Sequence, residues 1–172
     1  MMLSRRRLVL AGGALAGAAA LASRSVIGAA ITTTTAAKRI ALYNLHTDEH
    51  LDIEYSRGDA YLSGPLARLQ VFLRDFRNGE QHAIDPKLLD YLVDVAGHLG
   101  RSPSFSVISG YRSPQTNEHL HTQGRAIDVR MTDVDCDVLA ARARDLMRGG
   151  VGYYRVSDFV HLDTGAFRTW NG

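Results

Sequence analysis

Cysteine is nearly absent from this chain: Cys136 is the only one in 172 residues. No internal disulfide can brace the fold, and Cys136 lies between Asp135 and Asp137, whose charge raises a thiol pKa and suppresses the thiolate, so a structural role is expected for it. A long apolar run is also missing, because the mildly apolar, Ala- and Gly-rich stretch from Val9 to Ala22 is too short to span a bilayer comfortably. No serine is followed three residues later by lysine, and Ser109 has no glycine two residues before it, so neither a serine–lysine nucleophile nor a nucleophile elbow is present. No internal repeat is visible.

What is present at the N-terminus reads as an address. Ser4-Arg5-Arg6-Arg7-Leu8 is a twin-arginine pattern, followed by the short apolar stretch and by small-residue cleavage sites at Ala20-Leu21-Ala22 or Gly28-Ala29-Ala30. Residues 1–31 are therefore expected to be an export signal that directs the chain to the periplasm, with an uncleaved anchor as the alternative; no cysteine follows the apolar run, which excludes a lipoprotein anchor. Arg5, Arg6, Arg7 and Arg24 all fall in that segment and no acid does, so of 20 basic residues about 16 remain against 18 acids, a balance of about −2. A basic nucleic-acid footprint disappears with them. Residues 32–37 form a Thr/Ala tract expected to be a linker, and 38–172 are enough for one compact domain, expected to be monomeric.

Within the domain, Ile40, Leu42 and then Leu51, Ile53, Tyr55 alternate with polar residues, which predicts two edge-type strands, the second turning at Arg57-Gly58-Asp59. That tripeptide matches a cell-adhesion motif, but a hairpin turn accounts for it more simply. Ser63-Gly64-Pro65 opens a helix predicted to run to about Arg77, and Asp85-Pro86 caps another in which Leu88, Leu89, Leu92, Val95 and Leu99 recur at helical spacing until Gly100. From Phe105 onward short strands take over: Phe105 to Ile108, Arg125 to Arg130, Val151 to Arg155 and Phe159 to Asp163, with a helix from about Asp135 to Met147 among them. The sum is an α+β domain, a small antiparallel sheet covered by helices.

Strand alternation then places the polar side chains. Ile127 and Val129 share one face and leave Asp128 on the other; Val160 and Leu162 share one face and leave His161 and Asp163 opposite. If both apolar faces meet the helices, Asp128 and His161 emerge together, and His121 lies in the loop that enters the same strand. Two imidazoles and a carboxylate, with a fourth position left to water, are the donor set of a catalytic zinc site. Asp158, three residues before His161, is the expected general base, and Arg112, on the turn after the Phe105 strand, the expected oxyanion stabiliser.

At these residues the sequence resembles the VanX-type zinc D-Ala-D-Ala peptidases and their endopeptidase relatives, which share a fold with hedgehog signalling domains, and within them the twin-arginine-exported YcbK-like subgroup. The residues that carry the likeness are His119 to Asp128, Asp158-Phe159-Val160-His161, the turn Ser109-Gly110-Tyr111-Arg112-Ser113, and the ending from Gly150 through Gly165 to Trp170. The resemblance implies Zn²⁺ held by His121, Asp128 and His161, Asp158 as base, Arg112 at the oxyanion, and the peptides of bacterial cell-wall peptidoglycan as substrate. It leaves the bond open among a D-Ala-D-Ala terminus, a D,D crosslink and an L-Ala-D-Glu stem. A catalytically inactive, zinc-containing wall-binding module is the rival reading.

The chain departs from that pattern twice. His119 stands where the family usually has Ser, and about a dozen residues that YcbK-like proteins tend to carry are missing between Asn117 and His121, which predicts a more open cleft. His119 could compete as a ligand, although spacing favours His121. Taken singly, His121 could be solvated, Asp128 a strand-edge charge, Asp158 a turn former, Arg112 a surface ion-pair partner, and Asp163 either an orienting partner of His161 or part of a turn. It is their joint occurrence that selects the metal reading.

Overall fold

A computed structural model describes residues 36–115 and 119–172. The expected export signal and the expected linker up to residue 35 lie outside the described residues, as does Thr116 to Glu118 in the shortened stretch before His121. In chain order the elements are β1 (Ala37–Asn44), β2 (His50–Arg57), β3 (Ala60–Tyr61), α1 (Ser63–Phe72), α2 (Pro86–His98), β4 (Ser104–Ser109), a 3-10 turn (Leu120–Gln123), β5 (Ala126–Met131), α3 (Cys136–Asp145), β6 (Gly150–Tyr154), β7 (Phe159–Asp163) and β8 (Arg168–Asn171).

The strands form one sheet in the order β3-β2-β1-β4-β5-β7-β6-β8. The α+β class holds, and the sheet is larger than the sequence suggested: its pairings are antiparallel except β1 with β4 and β6 with β8, which run parallel. β1 is an inner strand and not an edge, because β4 covers its other side after the long excursion through α1 and α2. The edges are β3 and β8.

Packing follows the apolar pattern. Asp85 caps α2 by accepting from the Lys87 amide at 3.0 Å, Pro86 fills the first turn, and Leu88, Leu89, Leu92 and Val95 are buried on the core side. Ile40, Leu42, Phe105, Val107, Ile127, Val129, Val160 and Leu162 supply the matching sheet face, with α1 on β2, α2 on β1, and α3 across β5, β6 and β7. The opposite face of β5 and β7 carries Asp128, His161 and Asp163. Arg57-Gly58-Asp59 is a tight hairpin turn, as expected, with Gly58 at φ 58 and the Arg57 guanidinium held by Glu54 at 2.8 Å.

α1 stops at Phe72, short of the predicted Arg77. Beyond Leu73 the backbone closes on itself instead: the Asp75 amide donates to the Glu80 carbonyl at 2.9 Å, the Gly79 amide to the Asp75 carbonyl at 2.7 Å, and Gly79 takes φ 79. Asp75 favours this outcome because a short carboxylate competes with the helix for nearby N–H groups. No helix among the described residues is long and apolar enough to cross a membrane.

Candidate metal centre

β5 and β7 are direct neighbours, and their register sets Asp128 opposite His161. His121 arrives from the 3-10 turn, which ends at Gly124 in the left-handed region (φ 63). A side chain at 124 would run into the Ala83 carbonyl, so this glycine lets the turn close down onto the segment before α2 and carry His121 inward. All three side chains are buried.

Their atoms converge. His121 Nε2 lies 3.1 Å from His161 Nδ1, His161 Nδ1 lies 2.9 Å from Asp128 Oδ1, and His121 Nε2 lies 3.4 Å from the same oxygen. Ligands at ordinary zinc bond lengths in a tetrahedron are separated by about 3.3 Å, so this triangle has the size of one face of such a site.

The outer partners fix which nitrogens face inward. His121 Nδ1 donates to the Gly110 carbonyl at 2.7 Å, and a carbonyl only accepts, so in the neutral ring Nε2 presents its lone pair. His161 Nε2 donates to Asp163 Oδ2 at 3.1 Å, which leaves the lone pair on Nδ1. Two nitrogen lone pairs and a carboxylate oxygen therefore point at one another. Acceptors do not sit that close without a shared positive charge, and a divalent cation answers the demand.

The electrostatics agree. Burial alone would push the Asp128 carboxyl up, but positive charge on the facing His121 and His161 side reverses this and holds it at about 2, the same demand that a cation would meet. Burial would likewise push the His161 imidazole down, yet Asp128 and Asp163 raise it, so the pocket favours positive charge. Asp163, fully buried, is held well below the usual carboxylate range against the cost of burial by His161, by Arg168, and by the Gly165 and Gly150 amides. Arg168 grips both Asp163 oxygens, at 2.7 and 3.1 Å.

The triangle forms the floor of a cavity of roughly 440 Å³, walled by Arg112, His119, Tyr154, Phe159, Arg168 and Trp170. Tyr154 stacks on Phe159 with centroids 4.5 Å apart, and Trp170 donates from Nε1 to the Tyr154 hydroxyl at 3.1 Å, so the three rings make one continuous wall.

The family model described as peptidoglycan L,D-endopeptidase MepK, of the Peptidase_M15_2 family, matches residues 32–170. The chain belongs to this family. Among curated relatives, the peptidoglycan L,D-endopeptidase MepK of Escherichia coli strain K12 is 38% identical over 143 residues, covering 76% of this chain and 79% of the relative. The probable peptidoglycan L,D-endopeptidase MepK of Haemophilus influenzae is 36% identical over 142 residues, covering 75% and 76%. No solved structure matches. Membership makes the chain a peptidase of a metal-dependent family.

In this MepK-family chain the structure brings His121, Asp128 and His161 together and puts Arg112 in the cavity wall. It does not bring Asp158 there. Asp158 sits in the turn between β6 and β7, largely exposed, at φ 51, with its carboxylate 3.7 Å from Arg130 Nε and in contact with the Cys136 thiol. Asp158 precedes β7 in a left-handed turn, where Arg130 and Cys136 hold its side chain apart from the residues that line the cavity. Cys136 is buried and its thiol is pushed up to about 12, chiefly by burial and then by Asp158, which fits the structural role expected. His119 lines the cavity without joining the three-atom cluster.

Two contributors were not singled out from the sequence. β8 is only four residues, Arg-Thr-Trp-Asn, with no apolar alternation, yet it delivers Arg168 next to Trp170, which the family likeness had already included. The Gly110 carbonyl, being backbone, leaves no mark in the sequence beyond the turn that contains it.

Proposed function

We propose that this chain is a zinc-dependent endopeptidase of bacterial cell-wall peptidoglycan, cleaving peptide bonds of the L,D type. The observation that carries the metal reading is the convergence of two imidazole lone pairs and one carboxylate oxygen within 3.4 Å of one another. The substrate reading draws on the relatives, which are named L,D-endopeptidases. His121 Nε2, His161 Nδ1 and an Asp128 oxygen would hold the ion. Zinc bound there supplies a Lewis acid that lowers the pKa of water toward ~7 and polarises a carbonyl.

The chain's own groups do the rest. Arg112 donates to the carbonyl oxygen as it gains negative charge. His119 takes the role first given to Asp158: it is a cavity-lining imidazole outside the ligand set, able to accept the proton of the attacking water and pass it to the leaving amine. Tyr154, Phe159 and Trp170 hold the substrate backbone against one wall and exclude solvent from that side. The Arg5-Arg6 pattern supports export by the twin-arginine route, so the mature domain acts in the periplasm.

Muropeptides incubated with the zinc-loaded protein and resolved by mass spectrometry test the reading. Products cut between an L and a D centre are expected. Cleavage confined to D,D bonds would overturn the bond assignment, and wall binding without hydrolysis would identify an inactive binding module.

A further inference from the structure

We infer that Asp75, outside the cavity and far from the metal cluster in sequence, is a positioning residue that fixes Arg112 in the cavity wall. The inference rests on reading Arg112 as the oxyanion donor. Gly110 to Ser113 follows β4 without strand or helix of its own, so contacts from other elements must place its backbone. Three successive amides anchor it to three separate partners. Tyr111 donates to the Leu73 carbonyl at 2.8 Å, Arg112 to the His121 carbonyl at 3.3 Å, and Ser113 to Asp75 Oδ2 at 2.9 Å. The first two acceptors are backbone and insensitive to sequence; the third is a side chain.

Asp75 is fully buried, and both of its oxygens are engaged. Oδ2 also accepts from the Ser113 hydroxyl at 3.1 Å, whose oxygen accepts in turn from Asn78 Nδ2 at 2.9 Å. Oδ1 accepts from the Arg77 amide at 3.1 Å and lies 3.4 Å from its guanidinium. A buried carboxylate is costly unless such donors surround it, and an apolar side chain could fill the same space at no such cost. The charge is spent instead on the residue next to Arg112. The same segment supplies the Gly110 carbonyl that orients His121, and it sits tightly on the end of α1, since a side chain at 110 would meet the Leu73 carbonyl oxygen at 2.7 Å. A displacement of about 1 Å at an orienting group can cost on the order of 100-fold in rate.

The test compares the zinc-loaded full chain with Asp75→Asn, Arg112→Ala, Ser113→Ala and the Asp75→Asn/Arg112→Ala pair. Asp75→Asn is expected to lower kcat by about 10- to 100-fold with KM and zinc content nearly unchanged. In the Arg112→Ala background it is expected to cost nothing further, because its effect passes through that arginine. Losses that multiply in the pair, or an Asp75→Asn defect that appears as lost zinc, overturn the inference. Should Asp75→Asn fail to fold, Ser113→Ala removes only the hydroxyl contact and must show the same coupling at smaller size. Amide hydrogen exchange is independent of turnover: Asp75→Asn should speed exchange at Arg112 and Ser113 while leaving Val107 and Val129 protected, and unchanged exchange at Ser113 overturns the inference. An Arg112→Ala variant with full kcat would instead remove the oxyanion reading, leaving exchange to judge whether Asp75 holds the segment.

Discussion

His121 Nε2 faces His161 Nδ1 across 3.1 Å, and the outer partner of each ring, the Gly110 carbonyl for one and the Asp163 carboxylate for the other, has already taken that ring's only proton in its neutral form. The two nitrogens are bound into that confrontation by elements far apart in the chain. Only a cation between them turns it into an attraction.

The chain is therefore expected to take up one zinc, and His161→Ala to weaken the site by at least ~100-fold, more than the loss of an outer partner would. Elemental analysis after dialysis measures this. Zinc retained in His161→Ala at the wild-type ratio would exclude His161 as a ligand.

Asp163→Asn tests the outer partner. An amide can still accept, but it no longer matches the His161 N–H and the Arg168 guanidinium with a full charge, and a loss of about 10- to 100-fold in zinc affinity is expected. Competition with a chromophoric chelator reads it, and an unchanged affinity would reduce Asp163 to a fold-stabilising acid.

Asp158→Asn and His119→Gln separate two candidate bases. With Asp158 in an exposed turn beside Arg130 and outside the cavity lining, its substitution is expected to change kcat by less than ~3-fold, whereas His119→Gln should cost on the order of 10²–10⁴-fold, the usual worth of a general base. The reverse result in muropeptide kinetics would return the role to Asp158.

Alkaline stability follows from Tyr91. Its hydroxyl donates to the Ala143 carbonyl at 2.9 Å, and burial, with the Asp163 charge adding to it, pushes the phenol up to about 12. The folded state favours the neutral phenol, so this stabilisation is complete below about pH 10 and is lost as pH rises from there toward 12, about 3 kcal/mol at most. Urea unfolding of Tyr91→Phe should show a shallower loss across that window, at a cost of about 1 kcal/mol at neutral pH for the missing hydrogen bond. Identical alkaline slopes would exclude Tyr91 as a source.

The order of elements was largely legible because their signals are local. The Leu88 to Val95 spacing with its Asp85-Pro86 cap marks α2, and the apolar alternation of β5 and β7 put Asp128 and His161 on the face away from the helices. Asp158 was not legible in that way: it lies just before β7 in a left-handed turn, where the period-two rule stops applying and contacts with Arg130 and Cys136 set the side chain. β8 was missed because four residues paired in parallel at an edge carry no alternation. The end of α1 was missed because a buried carboxylate accepting from Ser113, distant in the chain, helps to set it.

By itself the sequence determined which faces of the strands are apolar and which residues are able to bind a metal, because side-chain chemistry and backbone period are properties of a short stretch of chain. Only the tertiary structure decided that β5 lies beside β7 in the register that pairs Asp128 with His161, that a 3-10 turn swings His121 over them, and that Arg168 returns from the far edge to hold Asp163. Those are facts about neighbours in space, fixed by the packing of the whole sheet against its helices.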